Sequence, residues 1–250
     1  TQGVSSAASD VYKRQEHRLM INVSRGPLGL YSGKVENLPA EPTLMIADFP
    51  LRWTLQGMHI LMNEGINMCL PSQRSIPAHL MDPKIKNRSR IWYQMANIQV
   101  SKLAGQNNWA VMIDSDGYIT EGTGCNFFII KNGSIYTPEG RNILRGTRRA
   151  YIFELARELQ IPCYEQNIEP YDVSTCDEAF VTATPFCILP VTSFQFIKID
   201  SGQMGPITSM LLDKWSANVG VDIRQQILDF NADSSAENIT TTAATPYKFK

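Results

Sequence analysis

The sequence lacks the long apolar run that a membrane-spanning helix requires. Such a helix needs about 20 consecutive apolar residues, and no stretch of the 250-residue chain is that apolar over that length. An excess of one charge is also missing, because 23 lysines and arginines are balanced by 24 aspartates and glutamates. A nearly neutral chain is not built chiefly to neutralise nucleic acid or an anionic lipid surface. We therefore expect neither a membrane nor a nucleic acid as a partner.

Paired cysteines and clustered histidines are missing as well. The five cysteines are odd in number, scattered and without a CxxC pair: Cys69, Cys125, Cys163, Cys176 and Cys187. This usage is typical of a reduced, cytoplasmic protein and not of a disulfide framework or a zinc site. None of the three histidines is spaced to share a metal ion with another, so we expect no metal.

What the sequence does contain is the material for a hydrophobic core. Hydrophobic residues make up 43% of the chain and charged residues 19%, which is typical of a folded globular protein. A length of 250 residues suits one large domain or one and a half ordinary ones.

The two ends of the chain differ in composition from the rest. Residues 1–15, TQGVSSAASDVYKRQ, resemble the translation of sequencing-adapter DNA and lack the basic start and apolar run of a signal peptide. We interpret them as a non-native segment, which implies that N-terminal residues of the gene are missing; an ordinary flexible terminus is the alternative. Residues 231–250 are polar and rich in threonine and alanine, and we expect them to form a flexible tail.

Apolar patterning between these ends predicts alternating strands and helices. Two strands come first, at Arg18–Ser24 and Thr43–Ala47, and helical spacing predicts a helix over Leu55–Glu64 that Gly65 ends. The turn signals around residues 114–117 and at Asn132-Gly133 predict two hairpins. The other predicted elements are Ile66–Leu70, the second half of Ile76–Gly105, Arg148–Leu159, Ile161–Tyr164, Ala179–Thr184 and Thr208–Val219.

A stretch in the middle of the chain combines a carboxylate, a tight turn and the start of a helix. Tyr118–Arg149 reads YITEGTGCNFFIIKNGSIYTPEGRNILRGTRR, with Glu121 on a short strand and Gly146 opening a helix. A carboxylate at Glu121 is suited to hold the proton of a cationic ring nitrogen; an exposed carboxylate at a hairpin end is the simpler alternative. Free N–H groups of Thr147 and Arg148 are suited to hold a phosphate, and they also fit ordinary helix capping.

Upstream lies a basic run that contains Lys84, Lys86, Arg88 and Arg90. Taken by itself, such a run is typical of a solvated loop or of a loop that faces nucleic acid. A helix follows it, because Ile91, Met95, Ile98 and Leu103 recur at helical spacing. The run therefore acquires a more specific role only in combination with the Glu121 stretch.

In this order, the residues of Tyr118–Arg149 resemble the signature of the class IV, or fold type IV, pyridoxal-phosphate aminotransferases. That family includes branched-chain aminotransferase, D-amino-acid aminotransferase and aminodeoxychorismate lyase. A second block, Phe180–Val191 (FVTATPFCILPV), aligns without gaps to the family's strand and loop that end in Pro-Val. The resemblance extends from about Arg18 to Val221.

The resemblance implies a catalytic lysine, because the family's Schiff-base lysine lies just before the helix upstream of the glutamate strand. Lys86 matches that position with a one-residue insertion on either side, and Lys84 fits it less well. A family member usually has an Asn-Tyr pair after the lysine, whereas this chain has Arg-Ser-Arg-Ile-Trp-Tyr. Tyr93 is therefore our candidate for contacting the phenolic oxygen of the cofactor, with core packing at the helix start as the alternative.

The resemblance also implies how the cofactor, pyridoxal 5′-phosphate, is held. Glu121 would contact its ring nitrogen. The phosphate would lie at the backbone N–H groups of Thr147 and Arg148, together with the hydroxyl of Thr184, which falls where the family has a phosphate-binding threonine.

The fold that the resemblance implies is α/β (α+β): the remnant of a small α/β domain, and a larger domain with a distorted, mostly antiparallel β-barrel flanked by helices. The predicted boundaries are 16–49 for the small domain, 50–56 for a linker and 57–230 for the large cofactor-binding domain.

The activity implied is transfer of an amino group between an amino acid, of the branched-chain or D-amino-acid class, and a 2-oxo acid, by a homodimer. Two alternatives remain: an aminodeoxychorismate lyase on the same fold, and a non-catalytic binding protein.

Overall fold

The computed structural model describes residues 16–26 and 41–232. Residues 27–40, the predicted adapter segment and the predicted tail beyond Ala232 lie outside the described residues. The described chain divides into two compact units, one ending at Gln56 and the other beginning at Gly57. The domain boundaries stated above remain predictions.

The N-terminal unit is a two-stranded antiparallel sheet followed by a short helix. Strands β1 (His17–Val23) and β2 (Leu44–Pro50) pair in register, with Met20 opposite Ala47. Helix α1 (Arg52–Leu55) lies within the seven residues predicted as a linker. The two strands agree with the sequence prediction to within a few residues.

The second unit carries the remaining strands and helices of the described chain. Its strands are β3 (Ile66–Cys69), β4 (Asn108–Ile113), β5 (Ile119–Gly122), β6 (Asn126–Lys131), β7 (Ser134–Thr137), β8 (Cys163–Glu165), β9 (Glu178–Ala183), β10 (Cys187–Phe194) and β11 (Ile197–Lys198). Its helices are α2 (His59–Glu64), α3 (Ile91–Val100), α4 (Thr147–Glu158), α5 (Pro170–Ser174), α6 (Pro206–Val219) and α7 (Ile223–Ala232). None of the helices in the described ranges combines the length and the apolar character that spanning a bilayer would need.

Six strands of this unit close into a barrel. The order around the ring is β10, β3, β4, β5, β6 and β9, and β9 returns to pair with β10. The β10–β3 and β3–β4 pairs are parallel, whereas the other four pairs are antiparallel. Helices α4 and α6 pack against β9, and α3 packs against β4. The predicted fold class, a distorted and mostly antiparallel barrel flanked by helices, is confirmed.

Strand β6 shows why the sequence builds this barrel. It reads NFFIIK and is buried from Asn126 to Ile130, because it pairs along one edge with β9 and along the other with β5 and β7. Phe128 lies opposite Phe180 of β9, and the two rings stack with centroids 4.7 Å apart. A continuous apolar run is what a strand enclosed on both faces requires.

The turn between β6 and β7 is set locally. Asn132 and Gly133 have φ values of 49° and 75°, and a two-residue type I′ turn needs a positive φ at both central residues. The predicted Asn-Gly hairpin is confirmed, with Lys131 paired to Ser134.

Two local predictions differ from the structure. The helix predicted over Leu55–Glu64 begins only at His59, because Gly57 has a φ of 87°, which a helix does not accept. Helix α7 was not predicted, although Asp222 accepts a hydrogen bond from the backbone N–H of Gln225, and Ile223 and Ile227 are buried at helical spacing. An aspartate N-cap before two isoleucines four residues apart was the available signal.

Candidate active site

A cleft of about 420 Å³, part of it open to solvent, lies between the strand end that carries Glu121 and the start of helix α4. All six residues predicted for the site line it: Lys86, Tyr93, Glu121, Thr147, Arg148 and Thr184. Arg90, Cys125 and Asn126, which were not among the predicted site residues, line it as well.

Glu121 forms the floor of the cleft and is only 4% exposed. It lies on β5 opposite Asn126 of β6. Its Oε1 accepts a hydrogen bond from the Tyr93 hydroxyl across 2.5 Å. Its Oε2 accepts one from the Leu144 N–H at 3.1 Å and one from Asn126 Nδ2 at 3.2 Å. The carboxylate is therefore both buried and hydrogen-bonded on both oxygens.

Burial dominates the acidity of this carboxyl group. Loss of water raises the pKa of Glu121 to about 7, against the opposing effects of the Tyr93 and Leu144 hydrogen bonds and of the charges of Arg90 and Lys86.

Tyr93 reaches Glu121 from helix α3. The tyrosine is 6% exposed, and its ring packs edge-on against Trp92 with centroids 5.5 Å apart. Burial, together with the neighbouring Glu121 charge, raises the pKa of the Tyr93 hydroxyl. The hydroxyl is directed to the carboxylate, whereas the family resemblance suggested contact with the phenolic oxygen of the cofactor.

The two candidate lysines occupy different environments. Lys86 lines the cleft. Lys84 is outside the set of cleft-lining residues, and its Nζ lies 2.8 Å from Asp82 Oδ1. Lys86 is exposed in this chain. The structure thus brings Lys86, and not Lys84, to Glu121's cleft.

The start of helix α4 forms the other end of the cleft. Gly146 is its N-cap residue, in an extended conformation, and no side chain caps the helix among the described residues. A Cβ at Gly146 would overlap Asn126 Oδ1, so the chain needs glycine here. Thr147 and Thr184 are both exposed, and the guanidinium Nε of Arg148 is buried without a hydrogen-bond partner in the described part of the chain.

Several contributors to the site lie outside the six residues predicted to form it. The amide of Asn126 bridges Glu121 and the carbonyl of Leu144, at 2.9 Å from the latter, so it ties strand β6 to the loop before α4. The Leu144 N–H is a backbone donor, and because every residue except proline has a backbone N–H, the sequence does not indicate which one contacts Glu121. Arg90 was visible in the basic run, but nothing in the run distinguished it from Arg88.

Comparison with known proteins identifies the family. The family model described as Amino-transferase class IV matches residues 2–194. The chain is 32% identical over 199 residues to the putative branched-chain-amino-acid aminotransferase of Methanocaldococcus jannaschii. The aligned region covers 79% of this chain and 65% of that protein. The chain is 40% identical over 109 residues to the branched-chain-amino-acid aminotransferase of Pseudomonas aeruginosa, and this aligned region covers 44% of this chain and 36% of that protein.

The fold agrees with a solved structure of the same kind. The crystal structure of branched-chain amino acid aminotransferase from Thermobaculum terrenum, in its PLP-form, matches with a TM-score of 0.69 at 20% sequence identity, over 90% of this chain and 71% of that one. The chain spans less than two thirds of the length of the curated relatives described above. With the family model matching more than half of its residues and the barrel matching in three dimensions, the chain belongs to the class IV aminotransferase family.

Proposed function

We propose that this chain binds pyridoxal 5′-phosphate and transfers an amino group between a branched-chain amino acid and a 2-oxo acid. The observation that carries the proposal is the convergence of the six predicted site residues on one cleft. They come from separate elements, the loop before α3, helix α3, β5, the start of α4 and the loop after β9, so their proximity does not follow from closeness in sequence.

The Glu121 end of the cleft suits the cofactor's ring nitrogen. A carboxylate offers about four acceptor positions, and three donors occupy Glu121 in the described chain: Tyr93, Leu144 and Asn126. One position remains for a further N–H donor. A charge-assisted hydrogen bond there would compensate for the burial that disfavours the ionised carboxylate.

The α4 end suits the phosphate. The N–H groups of the first helical turn carry a partial positive charge and bind anions. Thr147 and Thr184 add hydroxyl donors, and Arg148 adds a cation with an unsatisfied buried N–H. We therefore assign Thr147, Arg148 and Thr184 to phosphate binding.

The cofactor, when bound, withdraws electrons from the carbon that carries the amino group. Lys86 would hold the cofactor through Nζ and, once released, carry a proton at the same atom. Lys86 is an exposed residue that lines the cleft. Glu121 would keep the ring nitrogen protonated.

The substrate class follows the relatives. The Methanocaldococcus jannaschii and Pseudomonas aeruginosa proteins are both described as branched-chain-amino-acid aminotransferases, the first as a putative one. We favour a branched-chain amino acid for this chain over a D-amino acid. In the assay, L-leucine with 2-oxoglutarate should yield glutamate, whereas D-alanine should not serve as donor. Production of p-aminobenzoate from aminodeoxychorismate would instead identify a lyase.

We also propose a homodimer in the cytoplasm. Helix α3 exposes Ile91, Met95 and Ile98 on one face, at 66%, 44% and 48%, while the opposite face is buried. Large exposed apolar side chains of this kind mark association surfaces. All five cysteines are free thiols, which agrees with a reducing compartment. Light scattering of the purified chain should give the mass of two chains.

The decisive test is borohydride reduction of the chain mixed with pyridoxal phosphate, followed by peptide mapping. We expect the label on Lys86, and K86M should lose it while K84M keeps it. Label on Lys84 would retain the cofactor site and move the catalytic lysine. Labelling scattered over the surface lysines would refute the proposed function.

A further inference from the structure

The four cations of the basic run have different surroundings. Lys84 is paired with Asp82, and Lys86 and Arg90 line the cleft. Arg88 is exposed and lines neither that cleft nor the smaller cavity of about 340 Å³ that Arg90, Tyr93 and Glu121 also line. The run is therefore not a uniformly solvated basic loop, and Arg90 is the arginine that it directs to the site.

Arg90 is held in place by two contacts. Its Nε donates a hydrogen bond to the Asn87 carbonyl at 3.1 Å, and its guanidinium carbon lies 5.0 Å from the centre of the Tyr93 ring. Within residues 16–26 and 41–232, no acceptor is hydrogen-bonded to its two terminal nitrogens and no carboxylate lies within ion-pair distance of it. A guanidinium anchored at Nε presents its terminal N–H groups as a preorganised fork.

The position of Arg90 is not explained by the stability of helix α3. Arg90 is the N-cap residue of that helix and makes no side-chain capping hydrogen bond there. Serine, threonine, aspartate and asparagine are preferred at this position, and the helix dipole opposes a cation. The charge of Arg90 lowers the pKa of the neighbouring Glu121, but the hydrogen bonds that this carboxylate accepts within the described residues come from Tyr93, Leu144 and Asn126 and not from Arg90.

We propose that Arg90 binds an oxygen anion of the reacting pair beside Glu121. Two sources share this chemistry: the carboxylate of the amino acid or 2-oxo acid, and the deprotonated ring hydroxyl of the cofactor. The Tyr93 hydroxyl has a single proton and donates it to Glu121, so it cannot donate a hydrogen bond to this anion at the same time. This inference rests on the proposed function and adds to it the group that recognises the anion.

The test uses the chain reconstituted with pyridoxal phosphate and compares R90Q with R88Q. R88Q is a matched control, because it removes the same charge from the same run at an exposed residue outside the cleft. The first readout is binding of isovalerate, a carboxylate with neither an amino nor an oxo group, against binding of its uncharged amide, isovaleramide. The second is the pH midpoint of the absorbance of the bound cofactor. The other ionisable groups on the cleft wall are Lys86, Tyr93, Glu121, Cys125 and Arg148, and among them the pKa of Glu121 is lowered by the charge of Arg90.

If Arg90 binds the substrate carboxylate, R90Q should raise the Kd of isovalerate about tenfold or more, since a hydrogen bond to a charged group is lost. The Kd of isovaleramide should not change. If Arg90 binds the ring oxygen, R90Q should raise the pH midpoint by about one unit, because removal of a nearby cation favours the protonated form. Either shift supports the proposal and identifies the source of the anion.

The proposal is overturned if neither quantity moves in R90Q, or if R88Q moves them equally. R90K is the second variant, for use if R90Q loses the circular dichroism of the parent chain. R90K keeps the charge and loses the paired donors, so it should still weaken isovalerate binding or move the pH midpoint. If R90K were identical to the parent in both quantities, the proposed role of Arg90 would be wrong. Borohydride label scattered over the surface lysines refutes the proposed function itself, which separates its failure from failure of this inference.

Discussion

The Tyr93 hydroxyl donates a hydrogen bond to Glu121 Oε1 across 2.5 Å, joining helix α3 to strand β5. Both groups are buried, and they lie 28 residues apart in the sequence. The bond holds the carboxylate in one orientation on the cleft floor. It also places the helix that follows Lys86 at a fixed distance from the group proposed to hold the ring nitrogen.

Replacement of Tyr93 by phenylalanine tests this bond. Y93F should lower the free energy of unfolding at pH 8 by about 1.5–3 kcal/mol, because a buried carboxylate loses a hydrogen bond. It should also raise the pKa of Glu121 further. Y171F is the control, since Tyr171 is 72% exposed. Urea denaturation measures the free energy of unfolding of both variants. Equal stability of Y93F and Y171F would contradict the assigned role.

The pH dependence of stability reports on Glu121. Its pKa in the folded chain, about 7, lies above the ordinary value of 4.5, so the folded state holds the proton more tightly than the unfolded state. The stabilisation from this proton is complete below about pH 4.5 and is lost as the pH rises through about 7. A shift of this size corresponds to roughly 3 kcal/mol.

E121Q isolates this contribution, because glutamine does not titrate. Unfolding in urea at several values between pH 5 and pH 8, without cofactor, should show the parent chain losing stability relative to E121Q as the pH rises. A difference between the two proteins that stays constant over this range would show that Glu121 does not carry the raised pKa.

Gly146 at the start of α4 is expected to tolerate no side chain. A Cβ there would overlap Asn126 Oδ1, which displaces an amide that also contacts Glu121. G146A should cost about 1–3 kcal/mol in unfolding free energy and weaken binding of inorganic phosphate. G124A is the matched control, since Gly124 lines the same cleft and a Cβ there meets nothing within 4 Å. If both variants behave like the parent, the proposed close approach is wrong.

Glu178, at the start of strand β9, caps the N-terminus of helix α6. Its two oxygens accept the N–H groups of Ile207 and Thr208 at 2.9 and 2.8 Å, and the residue is buried. E178A should lower the unfolding free energy by about 3 kcal/mol, because one buried and one half-buried donor lose a charged acceptor. E178Q should cost less, since its amide oxygen can accept one of the two bonds. The unfolding free energy of E154A, at an exposed glutamate, should stay within about 0.5 kcal/mol of the parent. If E154A lost as much unfolding free energy as E178A, the proposed capping by Glu178 would be wrong.

Much of the local structure could be predicted because its causes are local. The Asn132-Gly133 turn needs only residues that accept a positive φ. Strand β6 follows from a continuous apolar run, and the start of α4 from the Gly-Thr sequence before a helical pattern. The closed barrel, by contrast, was expected from the family resemblance and not from patterning, since no local signal states that β9 pairs with both β6 and β10.

By itself, the sequence determined which residues are candidates: a glutamate on a short strand, a helix start suited to an anion, and lysines in a basic run. Only the tertiary structure decided that Tyr93 serves Glu121, that the Leu144 N–H completes its hydrogen bonds, and that Arg90 lies in the cleft while Arg88 does not. The physical reason is distance along the chain. A hydrogen bond between residues 23 or 28 positions apart depends on how the strands close and how α3 packs, and neither is encoded in the spacing of a single segment.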